Sequence, residues 1–382
     1  MALLNGGLRA AVLLACASCA PKPLRFEDAS SDGEDRATIS VLDASDAALL
    51  SDADVIAMDV ADGSTADAQA VDDVVAASDA SEDAAIGRDA SATRPSCAAE
   101  PTREDCRVVE IVPERSFCVG VAADAFNSTW NASPPVCGLS LSRFAVDAYE
   151  VSVARFRVFY ERWAARGLPA YIDVAFANGL VFRAPQPPRT LTSEWNPSYV
   201  NCTWTDAAMP GREQHPINCV GWALAMYFCA WEGGHLLTST QYEYLARWHA
   251  DASGAGRSYA WGESAPDCTR THFGRCVGDD GLGTRRVGSL ASGAVATVFD
   301  LSGNVADWVA DDFALYPALE ASSCWTRSRR DPLCLPTING DHYARGSNYS
   351  NPTDNILRTV FRPGSSTSEA IPGRGFRCAY LR

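Results

Sequence analysis

Fourteen cysteines and five histidines are the side chains of this sequence best able to carry redox, nucleophilic or metal chemistry. Their spacing argues against most of it. Cys16 and Cys19 form the sole C-x-x-C pair, and that pair closes a short apolar run near the amino terminus, so it reads as part of a targeting segment and not as a redox motif. The other twelve cysteines, from Cys97 to Cys378, contain no C-x-x-C pair and no cysteine–histidine pattern of the zinc-finger kind. Twelve is even, and in an oxidising compartment disulfides are the default. The histidines (His215, His235, His249, His272 and His342) show no H-x-x-x-H spacing, and core or surface packing accounts for them. A hydrolytic nucleophile fares no better. G-x-S-x-G is absent, and His342 lies near Ser350 without a motif to join them.

Export is written in the first residues. Arg9 precedes Ala10-Ala11-Val12-Leu13-Leu14-Ala15, an apolar run too short to span a bilayer. It ends in Leu13-Leu14-Ala15-Cys16, a pattern similar to a bacterial lipobox, in which Cys16 would receive the lipid and become the mature amino terminus. Cys19 is the weaker candidate, and a cleaved secretory signal would export the chain equally. Ala17 is not Asp, so the expected destination is the outer membrane, with the periplasm or cell surface as the alternative and the lipid as the only membrane attachment. Residues 1–19 are therefore taken as a lipoprotein signal region.

Charge divides the rest. The chain carries −15, yet residues 25–96 alone hold 18 acidic residues against four Arg, leaving residues 97–382 close to neutral. Residues 20–96 are mostly Ala, Asp, Ser and Val with almost no aromatics, too poor in apolar surface to offset ordering entropy and extended by like charges. They are expected to form a disordered acidic tether. No basic stripe could neutralise phosphates, so nucleic acid is excluded as a partner.

The elements that would position any site lie after the tether. Residues 97–142, with four cysteines, read as a disulfide-tied lead-in segment. Residues 143–382 are rich in Trp and Tyr and punctuated by Gly and Pro, which predicts an irregular α+β domain with short elements and long loops. Three helices are expected. Val153, Phe156, Phe159, Tyr160 and Trp163 recur at helical spacing before Gly167. A second helix covers about 222–232, stopped by Gly233-Gly234. A third begins at Thr238, where Thr238-x-x-Gln241 forms a capping box, with Tyr242, Leu245, Ala246 and His249 on its inner side.

Seven phrases in order then identify a resemblance. Phe144-Ala145-Val146-Asp147-Ala148-Tyr149-Glu150-Val151-Ser152 resembles the opening strand of the formylglycine-generating (sulfatase-modifying factor) family. His215-Pro216-Ile217-Asn218-Cys219-Val220-Gly221-Trp222, the run from Ala225 to Thr238, and Gln241-Tyr242-Glu243-Tyr244-Leu245-Ala246-Arg247 resemble its next phrases. Tyr259-Ala260-Trp261-Gly262 and Asp300-Leu301-Ser302-Gly303-Asn304-Val305-Ala306-Asp307-Trp308 follow, and Arg345-Gly346-Ser347 with Gly375-Phe376-Arg377-Cys378 completes the series. The resemblance runs from about Phe144 to Arg382 and leaves out the tether.

It implies the family's irregular α+β fold, related to C-type lectins. It also implies a disulfide between Cys229 and Cys378, which would close a loop of about 150 residues and stabilise by several kcal/mol on the loop-entropy model. Pairs such as Cys202–Cys219, Cys268–Cys276 and Cys324–Cys334 are open alternatives at short range. The resemblance further implies a structural Ca²⁺ held by Asp300, Asp307 and the carbonyls of Gly303 and Val305, oxygen ligands that suit a hard cation. The competing reading is a tight turn in which Asp300 bonds local amides. A second family site would fall near Asp280 and the carbonyl of Leu282.

The pattern breaks at its centre. The family oxidase carries two cysteines after its "GGS" phrase, which bind Cu(I), activate oxygen and engage the substrate cysteine. Here those positions hold Ser350 and Asn355, and no cysteine occurs between Cys334 and Cys378. A hydroxyl and an amide do not supply the soft thiolates that select Cu(I), nor a redox pair, so Cu⁺ is not expected. A further cysteine pair of the oxidase is replaced by Ala246 and about Thr359, and the Trp of "NVWEW" by Ala306. What remains is a degenerate pocket of Ser347, Tyr349, Ser350 and Asn355. The expected function is a cell-envelope binding or display module for an unknown ligand or envelope protein, its loop lined by adaptable Asn and Tyr side chains. The alternatives are a diverged oxidoreductase turning protein cysteine to formylglycine through cysteines from elsewhere, such as Cys324 and Cys334, or another enzyme using the same pocket.

Overall fold

A computed structural model describes residues 94–120, 135–188, 195–198, 200–247, 256–279, 281, 283–313, 324, 328–334, 336, 341–362 and 370–382. Cys16, residues 20–93 of the acidic stretch, His249, Asp280 and Leu282 lie outside the described residues.

The described part is α+β, with three α-helices and eleven short strands. Its central antiparallel sheet has the order β1-β4-β11-β7, formed by β1 (Val108–Ile111), β4 (Phe144–Asp147), β11 (Cys378–Leu381) and β7 (His235–Leu236). The last strand of the chain therefore lies inside the sheet: Ala379 pairs with Val146 on one side and with His235 on the other. A smaller sheet of order β10-β8-β9 joins Arg374–Gly375, Ala306–Asp312 and His342–Arg345. Both sheets thus depend on strands far apart in sequence.

Helix α1 (Val153–Ala164) begins where Ser152 Oγ accepts the Arg155 N–H, and it buries Val153, Phe156, Phe159 and Trp163. Its left-handed terminal residue is Arg166, at φ 57°, with the Gly167 N–H returning to Arg162 O; the expected glycine stop comes one residue later. Helix α2 (Trp222–Trp231) is apolar all round and buried along most of its length, as a helix enclosed by the core must be. It is tied to β11 by the Cys229–Cys378 disulfide across 149 residues. Gly233, at φ 83°, ends it, and Gly234 then lies against the Ala379 carbonyl and the Tyr380 ring, where a Cβ has no room. Helix α3 (Ser239–Arg247) starts on the capping box: Thr238 Oγ1 accepts from Gln241 N at 3.1 Å and Gln241 Oε1 from Thr238 N at 2.9 Å.

The lead-in segment shares the core of the domain. β1 extends the central sheet beside β4, and the β2–β3 pair (Phe117–Val119, Val136–Leu139) packs Phe117 against Tyr244 of α3. The fold also reaches further back than the expected tether boundary at residue 96. Arg94 donates to Asp147 at 2.7 Å, and Ser96 gives both its N–H and its hydroxyl to Glu232, each at 2.8 Å. A buried carboxylate takes up each of these donors, and composition could not reveal it.

Candidate functional site

The segment from Gly346 to Asn355 is a loop held from beneath by a buried ion cluster. Arg345, the last residue of β9, is almost wholly enclosed. It donates to Ser239 Oγ at 2.9 Å, Glu243 Oε2 at 3.0 Å and the Thr359 carbonyl at 2.7 Å, and its guanidinium lies over the Tyr242 ring. Arg247, one turn along α3, reaches Glu243 Oε1 at 3.2 Å. Burial works to raise the Glu243 pKa, but the Arg345 and Arg247 charges hold it below the usual carboxylate value. The capped helix α3 thus fixes the strand that launches the loop.

Glycines then let the loop close on its neighbours. Gly346 has φ 94° and abuts the Leu301 carbonyl and the Tyr242 hydroxyl, while its own carbonyl accepts Gly303 N–H at 2.7 Å. Gly283, at φ 79°, leaves room for the Tyr349 ring, whose hydroxyl is pushed upward in pKa by burial. Tyr349 N donates to Asn304 O, Gly274 N donates to Asn351 O, and Arg275 pairs with Asp354 at 2.5 Å.

Within this frame the expected pocket residues are turn formers. Ser347 is buried at φ 62° and accepts Asn351 Nδ2 at 3.1 Å. Ser350 is exposed, and both its N–H and its hydroxyl donate to Asn348 Oδ1, at 2.9 and 2.7 Å. Asn355 is exposed on the 3₁₀ turn Asp354–Leu357. The Ser350 hydroxyl therefore faces a neutral amide oxygen, not a base that would activate it. His342 serves the core instead. It is fully buried, stacked on Trp222 with centroids 3.5 Å apart, with Nδ1 at 3.1 Å from Asp312.

The turn expected to hold calcium lies under the same loop. Arg377 donates to Asp307 Oδ2 at 2.6 Å, the Phe299 carbonyl at 2.8 Å and the Asp300 carbonyl at 3.3 Å. Asp300 Oδ2 accepts Gly288 N–H at 2.6 Å. Glu150, which the sequence reading did not place here, accepts Asn304 Nδ2 at 2.6 Å and Val305 N–H at 3.1 Å. Three carboxylates share one guanidinium, so burial lifts Glu150 well above its ordinary pKa, Asp300 to about 6, and Asp307 upward. Of the set Asp300, Gly303, Val305 and Asp307 that would hold Ca²⁺, Asp300 Oδ2 is engaged by a main-chain N–H and Asp307 Oδ2 by Arg377, while Asp307 Oδ1 is buried without a hydrogen-bond partner. Among the described residues no group of three or more His, Cys, Asp or Glu is placed to hold a metal ion.

The described cysteines form six disulfides: Cys97–Cys106, Cys118–Cys137, Cys202–Cys219, Cys229–Cys378, Cys268–Cys276 and Cys324–Cys334. They account for every cysteine after Cys19 and fit an oxidising, extracytoplasmic setting.

A sequence model of the sulfatase-modifying factor enzyme 1-like domain matches residues 98–381, so the match takes in the lead-in segment as well. The chain is 27% identical over 318 residues to a formylglycine-generating enzyme of Streptomyces coelicolor, covering 76% of this chain and 94% of the relative. It is 26% identical over 262 residues to the inactive C-alpha-formylglycine-generating enzyme 2 of Bos taurus, covering 64% and 79%. Among solved structures, PvdO from Pseudomonas aeruginosa aligns with a TM-score of 0.48 at 19% identity, over 72% of this chain and 94% of that one.

Proposed function

The chain belongs to the sulfatase-modifying factor enzyme 1-like family, and on that premise we propose that it works outside the cytoplasm as a lipid-anchored, non-catalytic module that binds a ligand or envelope protein through the loop 346–355. The observation that carries this reading is the state of the sulfur. Ser350 and Asn355 stand where the family oxidase has its cysteine pair, and all twelve cysteines beyond the amino-terminal segment are bound in disulfides. Cys324 and Cys334, the alternative redox pair, are bonded to each other. Cu(I) selects thiolates, and neither a hydroxyl nor an amide replaces them. A family relative named as inactive supports the reading by precedent. A braced loop with exposed Ser350 and Asn355 suits binding, because the ordering entropy of its backbone is met on folding and not on contact.

The test is Cu(I) titration of the full chain, with oxygen-dependent turnover of a cysteine-containing sulfatase-type peptide followed by mass spectrometry. With Cys16 and Cys19 replaced by Ser to remove the thiols of the targeting segment, we expect no stoichiometric Cu(I) binding and no loss of the peptide thiol to an aldehyde. Aldehyde formation would overturn the non-catalytic reading and direct attention to Cys324 and Cys334. The anchor is tested separately: Cys16→Ser should move the protein from the membrane fraction to the soluble one and abolish incorporation of labelled fatty acid.

A further inference from the structure

The loop 346–355 has a second support besides the buried ion pairs, a strap formed by residues 267–276. Gly274 N–H donates to the Asn351 carbonyl at 2.9 Å, and a Cβ on Gly274 would meet backbone atoms of Ser350, Asn351 and Pro352 at 2.7 Å. Arg275 Nε donates to the Pro352 carbonyl at 2.9 Å, and its guanidinium pairs with Asp354. Phe273 is buried with Leu357, the last residue of the 3₁₀ turn that follows the loop. The strap also carries the turn beneath the loop: Thr271 Oγ1 donates to the Ser302 carbonyl, and the His272 carbonyl accepts Asn304 N–H.

The ends of the strap are joined by Cys268–Cys276. Of the six disulfides, this one has both cysteines half-buried, while each of the others has at least one buried. Cys97–Cys106 closes a ring of almost the same size with its cysteines 4% and 2% exposed, as a purely structural staple allows. Cys137 is exposed too, but its partner Cys118 is buried, and that pair ties β2 to β3 of the lead-in. Access governs thiol–disulfide exchange, and Cys268–Cys276 offers it at both ends. With a sequence separation of 8, against 149 for Cys229–Cys378, it restrains the unfolded chain least of the six. No strand or α-helix lies between its cysteines, so opening it leaves the sheets and helices intact.

We propose that Cys268–Cys276 is a redox switch for the loop: a dithiol reductant opens it, the strap loosens, and the loop 346–355 loses its outer support until the bridge is reoxidised. One thiolate of the dithiol attacks a bridge sulfur and forms a mixed disulfide, which the second thiol then displaces. Two electrons pass to the bridge, the reductant becomes a disulfide, and its two protons end on Cys268 and Cys276. As control of ligand binding this rests on the function proposed above; as control of loop mobility it stands apart from it.

The experiment titrates the full chain with dithiothreitol. Differential alkylation and peptide mass spectrometry give the order in which the disulfides open, and hydrogen exchange reads the loop without any ligand. Cys268–Cys276 should open at the lowest dithiol concentration. Amides of residues 348–357 should then exchange about tenfold faster, with those of α2 and β11 unchanged, and oxidised dithiothreitol should reverse both effects. The double variant Cys268→Ser, Cys276→Ser should show the fast exchange without reductant and no further change with it. Prior opening of another disulfide, unchanged loop exchange once Cys268–Cys276 is open, or loss of protection across the whole domain with it would overturn the proposal. A loop that responds but binds no ligand would instead count against the binding reading alone.

Discussion

The buried ion pairs beneath β9 and the loop that β9 launches meet at Arg345 and are opposite in character. Arg345 with Glu243, and Arg377 with Asp307, form two ion pairs, together the brace, whose members are each at most 2% exposed. Four residues beyond Gly346, Ser350 is exposed and bonds only to Asn348. The phrases that carry the resemblance, Asp300 to Trp308, Arg345-Gly346 and Gly375 to Cys378, belong to the brace. The family's chemistry would belong to the loop. The contrast teaches why the family's phrases are legible in the brace: a buried charge loses its partner at great cost, while an exposed loop residue loses little.

The largest test of that contrast is the long disulfide. Replacing Cys229 and Cys378 by Ser should destabilise the fold by about 5 kcal/mol, the value expected for closing so long a loop, read from urea or thermal unfolding; a loss below 1 kcal/mol would mean that the brace holds the sheet unaided. Arg345→Met takes from buried Glu243 one of its two arginine partners, leaving Arg247, and should cost about 3 kcal/mol. Near-zero cost would place the brace on the same footing as the loop.

Asp300 sharpens the comparison through pH. Its folded pKa, raised by burial from 3.8 to about 6, means that its stabilising contribution is complete below 3.8 and is lost as pH rises through 6. Asp300→Asn keeps an oxygen for Gly288 N–H and avoids that loss. The variant should match the wild type near pH 4 and exceed it by roughly 2–3 kcal/mol at pH 8. If this turn holds Ca²⁺, millimolar Ca²⁺ should raise the melting temperature of the wild type and not of the variant; an equal response of both would sink the calcium reading.

Gly283→Ala places a Cβ on the Tyr349 ring at a positive φ. It should cost about 1–3 kcal/mol and make the loop 346–355 more sensitive to limited proteolysis. The smallest effects belong to the loop itself. Ser350→Ala and Asn355→Ala should each stay within about 0.5 kcal/mol in thermal unfolding, and a larger loss from either would show that the loop is part of the brace.

Much of the local structure was legible. The Thr238–Gln241 capping box and the inner stripe of α1 are short-range patterns, and both stand in the structure with the expected bonds and burial. A carboxylate one turn before an arginine, Glu243 and Arg247, was a readable signal of the brace. The role of Glu150 was not legible, since its partners Asn304 and Val305 lie more than 150 residues away. The same holds for Arg94 and Ser96, which look like the end of a polar tether until Asp147 and Glu232 are brought to them.

By itself the sequence determined the family, the α+β class and the helix starts, because residue type and spacing along the chain suffice for each. Only the tertiary structure decided which charges meet. It placed Arg377 among Asp300, Asp307 and Glu150 and seated Arg345 on α3. Those outcomes depend on desolvation and on partners distant in sequence, and no local pattern encodes either.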